Sequence, residues 1–235
     1  MAWVKPLAVD LFCGLGGWTE GLLAEGYDVI GFDIERHEYG AHRYPAALAI
    51  QDVLTLHGSQ FRDAALIVAS PPCQAYSYRA MPWSRAKALP PPDNALFDAC
   101  FRIQREACEA AGRHIPMVVE NVRGAQPWVG RARWNFGSFY LWGDVPALMP
   151  ATSDGYKSSG MNWCDRTKTG QDFTRVAGRQ AREGVKNGHD WFSAGDDCSL
   201  QRRHGSKSPG RRAASAMIAK IPLALSRHVA ATFRS

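Results

Sequence analysis

Leu7-Ala8-Val9-Asp10-Leu11-Phe12-Cys13-Gly14-Leu15-Gly16-Gly17 is the stretch whose reading decides the fold. Six residues, Leu7 to Phe12, read as a buried strand, and the glycines behind them as a tight turn. Trp18 to Glu25 has helical spacing, with Leu22 and Leu23 on one side and Gly26 placed to close it. Glycines directly after a strand let the backbone turn sharply and approach a ligand closely. The spacing is neither the GxGxxG dinucleotide fingerprint nor a phosphate loop ending in GK[ST]. Alone, the segment also reads as an ordinary turn.

The pattern repeats outward. Asp28 to Phe32 predicts a second strand ending at Asp33, and a short helix is expected through Arg36–Tyr44. Ala47 to Ile50 leads to Asp52, and Leu66 to Ser70 gives the fourth strand. Residues 76–93, rich in Pro, Arg, Tyr and Trp, predict a loop. Asn94–Ala111 has helical periodicity, Ile115–Val119 is a strand that terminates at Glu120-Asn121-Val122, and Phe139–Trp142 another strand. Alternating apolar strands and helices imply an α/β fold with a mostly parallel sheet covered on both faces. Three regions follow: a catalytic and cofactor-binding domain over 1–150, a loop-rich lobe over 151–212, and a closing helical segment over 213–235 interrupted by Pro222.

Charge divides the chain in the same way. Residues 1–150 carry 13 Lys/Arg against 15 Asp/Glu, and residues 151–235 carry 15 against 7. A near-neutral front and a basic rear suit a small-molecule site joined to a surface that meets a polyanion. A solvated basic tail would show the same balance. No run of 18 apolar residues and no secretory signal pattern occurs, so a membrane span and export are not expected. The six cysteines, Cys13, Cys73, Cys100, Cys108, Cys164 and Cys198, form no CxxC pair and read as free thiols, with no metal site.

Four signals fall at the ends of strands, where open α/β sheets bind ligands. The glycine turn is one. Asp33 is the second, an acid placed to accept from ribose hydroxyls, with Ile34 offering an apolar face to a flat ring and Asp52 a carboxylate for an exocyclic amine. Each acid also reads as a cap or turn residue. Ser70-Pro71-Pro72-Cys73-Gln74 is the third: two prolines fix the backbone and set a cysteine beyond an apolar strand, where a thiolate would be a strong nucleophile. Glu120 is the fourth, a carboxylate at the same sheet edge as Cys73 that could hold or protonate a ring nitrogen, or simply cap a turn.

Together, and in this order, these motifs resemble those of the cytosine-C5 DNA methyltransferase family, as a compact member with a reduced target-recognition region. The resemblance implies a Rossmann-like, S-adenosylmethionine-dependent fold with a mostly parallel seven-stranded sheet. It implies a cofactor site of Asp10, Phe12, Cys13, Gly14, Leu15, Gly16, Gly17, Asp33, Ile34, Asp52 and Pro72. Cys73 would add to C6 of a flipped-out cytosine, and Glu120 would bind its N3/N4 edge. Arg131 and Arg133 stand nearest to the family's arginine pair, without the usual glutamine, and one of them would steady Cys73 and the base. Lys220-Ile221-Pro222 stands where the family has a Gly-Asn-x-Val segment that is not recognisable here.

The partner implied is DNA. Gln74 and Arg79 would contact it, as would Lys157, Arg166, Lys168, Arg175, Arg179, Arg182, Lys186, Arg202 and Arg203 of the basic lobe. A monomer in the cytoplasm of a bacterial or virus-infected bacterial cell is expected, serving modification or protection of a genome. RNA methylation and a non-catalytic nucleic-acid-binding role are the alternatives.

Overall fold

The computed structural model describes residues 4–77, 89–149 and 209–234. Arg79 and the basic positions from Lys157 to Arg203 lie outside the described residues, as does most of the 76–93 loop.

The strands are β1 (Leu7–Leu11), β2 (Asp28–Asp33), β3 (Glu38–Tyr39), β4 (His42–Arg43), β5 (Ala47–Ile50), β6 (Ala64–Ala69), β7 (Met117–Asn121), β8 (Trp134–Phe136) and β9 (Phe139–Gly143). Seven of them form one sheet in the order β5-β2-β1-β6-β7-β9-β8, and only β9 runs against the rest. The expected seven-stranded, mostly parallel sheet is therefore present. From β1 the chain builds outward to β2 and β5, then crosses back to β6 on the other side. The crevice beyond β1 and β6 is thus a topological switch point, the usual ligand site of such sheets.

Alternate residues of the central strands feed two cores. Val9, Ile67 and Val119 face helix α2 (Ala95–Ala111), which contributes Phe97, Cys100, Ile103 and Ala107. Ala8, Leu66, Val68 and Val118 face α1 (Gly17–Ala24) together with Trp18, Leu22, Leu225 and Val229. After a single turn, α3 (Gln126–Val129), the chain returns through α4 (Pro209–Ala219) and α5 (Leu223–Phe233), which are separated at Pro222 as expected. α5 packs hard on α1: a Cβ at Gly21 would lie 2.5 Å from the Arg227 nitrogen, so only glycine permits this approach. Tyr27 Oη donates to the Ala230 carbonyl at 3.0 Å, fixing the same contact.

The helix expected over Arg36–Tyr44 is not there. β3 and β4 form a two-stranded antiparallel ribbon instead, with Tyr39 opposite His42. Gly40 at φ 61° makes the two-residue turn that a hairpin requires, and this local geometry prevails over a weak helical pattern. β8, only three residues long, matches no expected element.

Candidate active site

A cavity of about 480 Å³ opens at the switch point. Phe12, Cys13, Gly14, Leu15, Gly17, Asp33, Ile34, Asp52 and Pro72, nine of the positions expected to hold a cofactor, line it. The turn after β1 is built tightly. Cys13 N donates to Phe32 O at 3.1 Å and Gly16 N to Cys13 O at 2.7 Å. Phe12 takes a left-handed φ of 58°, costly for a bulky side chain and held here by the pairing on either side of it.

Asp33 ties the second strand to this turn. Its Oδ2 accepts from Gly14 N at 2.9 Å, and Oδ1 accepts from Glu35 N at 3.3 Å with His37 Nε2 at 3.4 Å. Burial acts to raise the Asp33 carboxyl, but the His37 bond and the two amides outweigh it and hold it below the usual carboxylate range. Hydrogen bonding to Asp33 in turn raises His37. Asp52 both caps the following turn, accepting from Leu54 N at 2.9 Å, and lines the cavity. The reading of Asp52 as a turn cap therefore holds, and the residue also stands on the cavity wall.

Asp10 and Gly16 are not among the lining residues. Asp10 is fully buried beneath the turn, where Oδ2 accepts from Thr19 Oγ1 at 2.6 Å and Oδ1 has no partner among the described residues. Thr19 Oγ1 also meets Tyr44 Oη at 2.7 Å. Because Thr19 gives its proton to Asp10, Tyr44 donates to Thr19. Gly16 lies against Pro45, whose Cδ would be 2.5 Å from an added Cβ.

The far wall comes from the end of the chain: Arg212, Ala216, Ala219, Lys220 and Ile221. Lys220 pairs with Glu20 of α1, which fixes this wall to the first helix. Tyr39 of the ribbon and His37 just before it, with Trp18, Glu35, Val53, Ser70 and Leu96, also line the cavity. Of the far wall the sequence singles out the Lys220-Ile221 pair, and of the remaining lining only Ser70, as the start of the Cys73 motif. Val53 follows Asp52 as Ile34 follows Asp33, and that repeated acid-then-apolar step is the one local signal that could have found it.

Pro72 and Gln74 also line this cavity and bracket Cys73. Cys73 is half-buried, and its carbonyl accepts from Tyr76 N at 3.0 Å and Ser77 Oγ at 2.9 Å, which locks the turn. β6 and β7 are parallel neighbours with Ala69 beside Val119, so the Cys73 turn and Glu120 leave adjacent strand ends. Buried Asn121 joins them: Nδ2 donates to Pro71 O at 3.0 Å while Oδ1 accepts from Val122 N at 2.8 Å. A second cavity of about 280 Å³ adjoins the same turn, against Tyr76, Asp93, Leu96 and Phe97, and shares Pro72, Gln74 and Leu96 with the first. Burial pushes the thiols of Cys13 and Cys100 up, keeping them protonated. Arg131 and Arg133 are exposed on the approach to β8, with Arg133 N donating to Leu141 O at 2.9 Å.

The cavity suits a nucleoside-bearing cofactor. Its volume falls in the range of small-molecule sites. Ile34, 70% exposed, turns an apolar face onto it, and three carboxylates, Asp33, Glu35 and Asp52, share the lining.

Sheet order, glycine turn and acid placement define a Rossmann-like methyltransferase arrangement of the S-adenosylmethionine-dependent kind. The chain belongs to the C-5 cytosine-specific DNA methylase family, whose model matches residues 7–125. Membership implies an S-adenosylmethionine-dependent mechanism. Among solved structures, the chain is similar to one described as a DNA modification methyltransferase encoded within an E. coli prophage, at 25% identity, 52% coverage of this chain, 33% of that one and a TM-score of 0.37. It is also similar to the S. pombe Dnmt2 methyltransferase, at 17% identity, 52% and 36% coverage and a TM-score of 0.34. The Entamoeba histolytica methyltransferase EhMeth gives 16% identity, 54% and 41% coverage and 0.37. The chain thus spans roughly a third to two fifths of the length of these structures. No curated protein matches the sequence. Among the described residues, no helix is long and apolar enough to cross a membrane.

Proposed function

We propose that this chain methylates C5 of cytosine in DNA, with Cys73 as the nucleophile. One observation carries the reading: Pro72 and Gln74, on either side of Cys73, both line the cavity that suits the cofactor. A nucleophile there reaches a ring presented to the methyl donor.

Bound S-adenosylmethionine supplies the electrophilic methyl group. Asp33 would accept from its ribose, Ile34 would pack on its adenine, Asp52 would accept from the adenine amine, and Phe12, Cys13, Gly14, Leu15 and Gly17 of the turn would wrap its methionine part. Cys73, as thiolate, forms a bond to C6 of cytosine while Glu120 delivers a proton to N3. The ring electrons then lie at C5, which can accept the methyl group. Loss of the C5 proton to a base expels Cys73 from C6 and restores the ring, and N3 returns its proton to Glu120. Arg131 or Arg133 steadies the bound base. In duplex DNA the cytosine must first leave the stack.

DNA is chosen over RNA because the description of the matching family names DNA. The lobe of 151–212 would hold the strand through Lys157, Arg166, Lys168, Arg175, Arg179, Arg182, Lys186, Arg202 and Arg203, chiefly at phosphates. Tritium transfer from labelled cofactor to matched DNA, RNA and free cytidine nucleotides tests the proposal. Label on DNA is expected; label on RNA alone overturns the choice of substrate.

A further inference from the structure

Between β7 and β9 the main chain is held while four large side chains stand out. Trp128 O accepts from Asn94 Nδ2 at 3.2 Å, and Gly130 O from Trp142 Nε1 at 2.9 Å. Ala132 N donates to Gln126 Oε1 at 3.2 Å, and Arg133 N to Leu141 O at 2.9 Å. Such pinning normally accompanies inward packing. Here Trp128 and Trp134 remain 40% and 42% exposed, and Arg131 and Arg133 are exposed between them.

Charge names the occupant. Residues 121–143 contain Arg123, Arg131 and Arg133, all exposed, and no Asp or Glu. Exposed indoles and guanidinium groups on one short segment fit a polyanion whose bases are unstacked, because every base has a face for an aromatic ring and every nucleotide a phosphate for an arginine. The segment is also continuous with the reactive turn: Asn94, which holds Trp128 O, accepts from Tyr76 Oη at 2.8 Å, and Tyr76 N bonds to the carbonyl of Cys73.

We infer that Trp128 and Trp134 form a stacking platform for unpaired bases of a DNA strand next to the target cytosine, with whichever of Arg131 and Arg133 does not steady that cytosine on its phosphates. The inference rests on the methyltransferase reading for the identity of the strand and extends it to residues outside the reactive pocket. The backbone is fixed in advance, so binding orders only the rings.

Binding of the full chain to a fluorescein-labelled single-stranded DNA 12-mer, beside the same strand with abasic sites and an RNA of equal sequence, tests it. Trp128→Ala and Trp134→Ala should each weaken binding to the intact DNA about tenfold, leave the abasic strand unaffected, and keep cofactor affinity by calorimetry. Trp128→Phe and Trp134→Phe should recover most of the loss, which also covers an alanine variant that fails to fold. Equal losses on intact and abasic strands, or none, would overturn the platform. RNA bound tenfold tighter than DNA would overturn the choice of strand. Wild-type protein that binds DNA through these tryptophans but transfers no methyl group would sink the catalytic reading alone.

Discussion

Asn121 Nδ2 donates a 3.0 Å hydrogen bond to the carbonyl oxygen of Pro71, joining the strand end that bears Glu120 to the turn that bears Cys73. The bond is buried, with Asn121 closing β7 and Pro71 two residues beyond the end of its parallel neighbour β6. This amide therefore adds to the β6–β7 ladder in setting Cys73 against Glu120, the two groups proposed to react. Asn121→Ala leaves the Pro71 carbonyl unsatisfied and should cost about 1–3 kcal/mol of stability. Turnover should fall at least tenfold while cofactor affinity stays within twofold, since Asn121 is absent from the cavity lining. Calorimetry and methyl transfer measured on the same preparation check this; parallel losses in both would show that the bond only holds the fold.

Asp33 carries two duties, holding Gly14 and facing the cavity. Asp33→Asn keeps the shape but loses the charge that His37 and the amides hold in place. Cofactor affinity should drop about tenfold, a change of about 1.4 kcal/mol, and titration calorimetry reads it directly. Unchanged affinity would remove Asp33 from the binding site.

Gly17 meets the far wall of the cavity without room for a side chain: an added Cβ would lie 2.3 Å from Ile221 N. Gly17→Ala must push α1 and the Lys220–Ile221 segment apart, at about 1–3 kcal/mol of overpacking. Thermal unfolding should come roughly 2–10 °C lower, and cofactor should restore less of that loss than it adds to the wild type. An unaltered melting profile with and without cofactor would place the wall elsewhere.

Burial pushes the Asp10 carboxyl up to about 7, against the bond from Thr19, while the unfolded chain releases that proton near 3.8. The folded form therefore keeps one more proton between those values. The contribution to stability is complete below about pH 4, declines as pH rises toward 7, and is level beyond, a change on the order of 4 kcal/mol. Asp10→Asn should flatten that slope. Denaturant midpoints compared at pH 5 and pH 8 test it, and equal slopes for both proteins would contradict it.

The parts legible in the sequence were those written by short-range pattern. Leu7–Leu11 is apolar enough to be a central strand, and glycine after it forces a turn. Asp33 and Asp52 stand at strand ends that apolar runs define. Over Arg36–Tyr44 the structure departs from the helical expectation because Gly40 decides the geometry and the helical pattern is too weak to oppose it. Trp134–Phe136 went unseen because three residues carry no period. Arg212, Ala216 and Ala219 reach the cavity from far along the chain, by helix packing that no local window contains, and Lys220 and Ile221 are marked only through the family resemblance. Phe12 at positive φ had no local signature either, since bulky residues rarely adopt it and only the surrounding pairing imposes it.

The central claim is a bond between Cys73 and C6 of cytosine. Incubation with DNA carrying 5-fluorocytosine and S-adenosylmethionine should trap it, because the fluorine at C5 cannot leave as a proton does. The account predicts a denaturant-stable protein–DNA adduct that maps to the peptide of Cys73 and is absent in Cys73→Ser. An adduct formed equally by Cys73→Ser, or mapped to another cysteine, would contradict it.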